Sequence, residues 1–159
     1  MPAANYETLF AIGDNINAAA VAGFEADGLP AYGNRSPDEL PKERIDLVTG
    51  PFAKASEQMG QDANGAWHDN HFSGQTIVTI VSSRSDPEAK ARHKTHIGRA
   101  TYLLSREAQL FTSANLPYYE MLSSELVSAN SYEDDATDTD RTELTFAQQI
   151  GILKTAWPV

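Results

Sequence analysis

The sequence predicts an α+β fold, a mostly antiparallel sheet flanked by an N-terminal helix and a central helix. Three observations carry this. Apolar residues recur at helical spacing over residues 5–27 and again after Asp86-Pro87. The run "TIVTIV" at 76–81 is β-branched throughout. The stretch "ELTFAQQIGI" at 143–152 alternates in the manner of a half-solvated strand.

The elements follow in order. Tyr6, Leu9, Phe10, Ile16, Ala20, Val21 and Phe24 form one apolar stripe. Asn5 suits the N-cap and Gly28 the C-terminal stop. Gly13 and Asn15 are the alternative, a point where this helix splits. Residues 29–43 are turn-rich, and Ser36-Pro37 can open one short helical turn. "RIDLV" at 44–48 alternates and reads as a strand.

Residues 50–71 are rich in Gly, Asn, Asp and Gln, and read as a long excursion with a helical turn near 53–59. Residues 75–83 read as a central strand covered on both sides, because Ile77 and Val81 face one way and Val78 and Ile80 the other. "SDPEAK" then starts a helix, with Ser85 or Asp86 capping, Pro87 beginning the first turn and Glu88 near the positive end of the dipole. That helix runs to about Leu104. The chain returns to the sheet at 118–128, crosses the acidic segment 132–140, and closes in a strand with Leu144, Phe146, Gln148, Ile150 and Ile152 on one face. One domain of 159 residues is expected.

Composition excludes some chemistry. The chain has no cysteine, so disulfides, thiolate metal sites and cysteine nucleophiles are absent. Its formal charge is −10, the reverse of what holding nucleic acid through phosphates requires. "MPAANYETLF" lacks the basic start and apolar run of a secretory signal, and "TIVTIV" is too short to cross a bilayer as a helix. No membrane association is expected. Phosphate-binding glycine loops, nucleophile elbows and dinucleotide fingerprints are missing.

All four histidines lie in two H-x-x-H pairs, His68/His71 and His93/His96. One reading is a divalent metal site, completed by the other pair or by the acidic segment, and hence a metal-dependent hydrolase. The other is a packed histidine beside a rim histidine. On a helical wheel His93 lies about 40° from Ile97, inside the apolar stripe, and His96 at its border. The catalytic H-E-x-x-H pattern is absent, and Lys94 with nearby arginines repels a cation. The packed reading is therefore expected, with no metal and no cofactor. Asp134, Asp135, Asp138 and Asp140 do not follow the calcium-loop pattern either.

Charge is also distributed unevenly. Arg84, Lys90, Arg92, Lys94, Arg99 and Arg106 are clustered, and five acids lie between Glu133 and Asp140. A basic helix and an acidic loop on one chain can pair head-to-tail between copies, the contact that closes rings. Separate solvation, or pairing within one chain, is the alternative. Candidate contacts are Arg92, Arg99 and Arg106 on one side, and Glu133, Asp134 and Asp135 on the other. Trp67 and Phe72 flank the first His pair and are candidate anchors on a neighbour, or core residues.

The order of elements, with "GQTIVTIVSSRSDPEAKARHKTHIGRATYLL", "ELVSAN" and "RTELTFAQQIGIL", resembles the tail terminator (tail completion or neck) proteins of long-tailed bacteriophages. The resemblance spans roughly residues 72–153. It implies a structural virion protein rather than an enzyme. Such proteins form a hexameric ring that caps the tail tube and meets the head connector, with DNA as passing cargo. It implies a place in the tail or neck, after assembly in the host cytoplasm. A generic oligomeric interaction module remains the alternative.

Overall fold

The computed structural model describes residues 2–34, 39–54, 67–105 and 110–158, and of 67–70 the backbone alone. The expected turn at Ser36-Pro37 and most of the 50–71 excursion lie outside the described residues.

The N-terminal apolar stripe forms two helices, α1 (Tyr6–Phe10) and α2 (Ile12–Ala26). Asn5 caps α1, its side chain accepting from the Thr8 N–H at 2.7 Å. The break falls at Ala11, where ψ swings to 51°, and not at Gly13 or Asn15. Asn15 bridges the break: its amide donates to the Thr8 carbonyl at 2.9 Å and to the Tyr119 hydroxyl at 2.8 Å. Gly13 serves close packing, since a Cβ there would lie 2.4 Å from the Gly50 carbonyl oxygen. Gly28, at φ +80°, stops α2.

The strands are β1 (Ala31–Tyr32), β2 (Arg44–Thr49), β3 (Ala53–Lys54), β4 (Trp67–Ser83), β5 (Tyr119–Asp134) and β6 (Thr139–Leu153). They form one sheet in the order β1-β2-β4-β6-β5, with β3 also pairing β4. Every pairing is antiparallel except β1 with β2. The fold is thus α+β, as the periodicities predict.

Three boundaries differ from the sequence reading. Ala53 and Lys54 are a short strand rather than part of a helical turn. β4 begins at Trp67, so the end of the 50–71 excursion is sheet. β5 continues past Ser128, the expected strand end, as far as Asp134. The acidic loop therefore contracts to the hairpin turn at 135–138, with Asp138 in the left-handed region at φ 54°.

α3 (Ala89–Leu104) starts two residues later than a Pro87 start implies. Asp86 instead makes an Asx turn, accepting from the Glu88 N–H at 3.0 Å. Both long helices pack on one face of the sheet. Ile45, Leu47, Val78, Ile80, Leu144, Phe146, Ile150 and Ile152 fill the core against Ile16, Phe24, Ala100 and Leu104. The β6 alternation predicts this face correctly. The two-sided burial expected for β4 is confined to Val81 at its end. Among the described residues no helix covers the other face, where Ile77 and Thr79 are half-buried and Val48 is 53% exposed. An antiparallel sheet tolerates this, because its outward side chains can meet water.

Candidate assembly surface

His93 answers the histidine question by geometry. Its Nδ1 lies 2.8 Å from Ser82 Oγ on β4, and its Nε2 lies 2.8 Å from Thr142 Oγ1 on β6. Thr142 in turn meets Ser131 Oγ on β5 at 2.9 Å. Both ring nitrogens are engaged by hydroxyls, and burial pushes the His93 pKa below its ordinary value. His96 is half-buried, and burial also lowers its pKa, against the nearby Glu43. His71 lies eleven residues along β4 from Ser82, a separation of about 36 Å at strand rise. The two H-x-x-H pairs therefore cannot share one ion. Among the described residues, no group of three metal-ligating side chains converges. The His68 side chain lies outside them.

A second buried polar row crosses the core. Asn17 donates to Thr49 Oγ1 at 3.2 Å, and Thr49 Oγ1 lies 2.9 Å from Thr76 Oγ1. Thr76 donates to Gln148 Oε1 at 2.6 Å, and Gln148 donates to Ser124 Oγ at 3.2 Å. The donors run in one sense from α2 across β2, β4, β6 and β5. Burial of Thr76 (0% exposed) and Gln148 (1% exposed) is tolerable because each is satisfied. Sequence patterning marks Gln148 as inward, but nothing in the sequence pairs it with Thr76.

The expected contact residues are mostly engaged within the chain. Arg92 binds Glu43 at 2.5 Å and Asp86 at 2.7 Å. Glu43 is the main reason the Arg92 pKa rises further. Arg99 forms a forked pair with Asp27 at 2.9 and 2.6 Å, and its guanidinium lies 5.2 Å from the Tyr102 ring centre. That pair holds the Asp27 carboxyl below its usual range. Arg84 reaches Asp135 at 2.7 Å and Glu133 at 3.4 Å, and Arg141 reaches Asp134 at 3.4 Å. Arg84, Arg92 and Arg99 of the basic cluster are thus paired inside one chain: α3 is tied to α2 and to the approach to β2, and the hairpin turn to the end of β4. Exposed pairs of this kind add little stability but set geometry.

Phe72 is half-buried and meets the Phe10 ring edge-on at 6.0 Å. Phe10 also meets Trp157, and Tyr6 does likewise, so an aromatic cluster closes the N- and C-terminal segments together. Trp67 is placed on β4 opposite Leu153, its side chain outside the described residues, as is Arg106. Sequence reasoning missed the outer half of β5. Residues 125–133 are exposed without interruption, including Leu126, Val127 and Tyr132.

No family model matches the sequence, and no curated protein matches it. A solved chain from the virion of a native gene transfer agent particle shares the fold. Its TM-score is 0.55 over 89% of this chain and 97% of that one, at 13% identity. A second solved chain covers 96% of this chain and 98% of its own at 10% identity, with a TM-score of 0.47. At these identities the likeness is one of fold. The first match spans nearly all of both chains, so the whole architecture is shared and not one motif.

Proposed function

We propose that this protein is a structural component of a virion, and within it a tail terminator that rings the end of the tail tube and meets the head connector. One observation carries the reading: its fold corresponds, almost end to end, to a chain of a gene transfer agent virion. The resemblance of residues 72–153 to tail terminators supports the finer role. So does the internal chemistry, in which the buried His, Thr and Gln groups are spent on one another in rows that tie the strands together. A subunit that works by shape needs such a rigid body.

A formal charge of −10 suits a conduit that passes DNA without holding it. Tight, salt-sensitive binding to duplex DNA would count against this. Arg92 and Arg99 remain 41% and 43% exposed despite their partners, so a neighbouring copy can share them. Charge reversal at Arg99 tests that contact: unchanged assembly removes Arg99 from it.

Immunogold labelling of particles from a producing culture tests the function. Label at the head–tail junction, with a solution species near six times the 17.3 kDa chain mass, is the expected result. Label absent from particles overturns the virion role. Label elsewhere on the particle overturns the terminator role alone.

A further inference from the structure

The two edges of the sheet are built differently. The β2 edge is closed. β1 pairs with Ile45 and Asp46, and the Ile45 N–H donates to the Pro30 carbonyl at 2.8 Å. Asn17 donates to the Leu47 carbonyl at 2.8 Å. The Asn34 amide then acts as a strand would: it donates to the Thr49 carbonyl and accepts from the Thr49 N–H, both at 3.0 Å.

The β5 edge carries no such cover among the described residues. β5 is terminal in the sheet, and its residues 125–133 are exposed at every position. Sheets usually blunt a long edge with lysine, proline or a covering segment. "YEMLSSELVSANSYED" holds no Lys, Arg or Pro. Its blunting devices are its acids and two irregularities, at Leu122 and Val127. The exposed stretch opens with two apolar residues beside Glu125, Leu126 at 40% and Val127 at 55% exposure, and turns polar after Ala129. Acids stand at both ends, Glu125 and Glu133. The arginines nearest the far end are already committed, Arg84 to Glu133 and Asp135 and Arg141 to Asp134.

We propose that the β5 edge at residues 125–133 accepts an extended segment of a partner protein as an added strand, one with basic residues at its ends and apolar residues where it passes Leu126 and Val127. Backbone hydrogen bonds supply the affinity, and Leu126, Val127 and the flanking acids supply the selection, Glu125 more strongly than Glu133, which Arg84 already meets. A second copy of this chain is the poorer occupant. Two β5 edges laid antiparallel about Ala129 bring Glu125 opposite Glu133, and the other sheet edge is closed. The inference rests on the two edges and stands whether or not the chain rings a tail tube.

The test is an NMR titration of the full chain with two nine-residue peptides. Each alternates valine and threonine; one has lysine at both ends, the other glutamate. The expected result is amide shifts confined to residues 125–133 on adding the lysine peptide, weakening with salt. The glutamate peptide should bind at least about fivefold more weakly. Val127→Lys and Glu125→Lys, both at exposed positions, should each weaken the lysine peptide while leaving the circular dichroism spectrum unchanged. Equal binding of the two peptides, shifts centred elsewhere, or no binding at millimolar peptide overturns the proposal. So do shifts at 125–133 that track protein concentration without peptide, because the occupant is then a second copy.

Discussion

Replacing His93 with leucine removes two bonds at once. Ser82 Oγ, 2% exposed, loses its partner, while Thr142 Oγ1 keeps Ser131. A stranded buried hydroxyl costs about 1–3 kcal/mol and the second lost bond about 1 kcal/mol, so the gross loss is about 2–4 kcal/mol. The extra apolar surface of leucine returns about 1 kcal/mol, leaving a net loss of about 1–3 kcal/mol at pH 8. The pH dependence carries a second signature. Burial lowers the His93 pKa from the ordinary 6.5, with Asp140 acting to raise it and His96 to lower it. The unfolded chain therefore binds this proton first. The neutral ring's contribution is complete above the unfolded value and is lost as pH falls through the lower folded value. Urea denaturation at several pH values from 8 down to 5 measures both effects. The wild type should lose stability over that range, and His93→Leu should lose less but still some, because the share that His96 contributes in the same direction remains. A variant as stable as wild type at pH 8, with an unaltered pH slope, refutes the claim that His93 joins α3 to β4 and β6.

The other predictions concern packing. Thr76→Val strands the Thr49 hydroxyl and the Gln148 carbonyl in the core, and should cost about 2–4 kcal/mol by urea denaturation. Adding Gln148→Leu should recover part of that, since an all-apolar pair leaves fewer unmet groups. Gly13→Ala drives a methyl to 2.4 Å from the Gly50 carbonyl oxygen, and should cost about 1–3 kcal/mol. Gly98→Ala, in α3 with open space around it, should instead stabilise by about 0.5–1 kcal/mol in the same assay. Opposite signs for the two glycines are the outcome to look for; equal effects would mean that the α2 approach to Gly50 is looser than described.

The fold was legible where one period dominates. β6 alternates over most of its length because one face is core and the other water, so each residue's place follows from its parity. α3 was legible for the same reason, and its wheel places His93 in the core from spacing alone. Two-sided burial of β4 was misread because β-branched residues suit a strand whether or not its outer face is covered. Ile77 is half-buried in the sheet, flanked by Val48 and Thr145, and no second layer is needed.

The amino-acid order alone determined the central helix, the strands β2 and β6, the inward parity of Gln148 and the absence of cysteine chemistry, since these depend on spacing and composition. The tertiary structure alone decided the partners. Arg99 meets Asp27, 72 positions away, because packing α3 beside α2 brings the two within hydrogen-bond reach. Which edge of the sheet stays open was likewise decided in space. Asn34 closes β2 because the turn after β1 returns its amide to Thr49, whereas β5 ends the strand order with nothing described beyond it. Long-range contact is a property of the folded chain, and no local period encodes it.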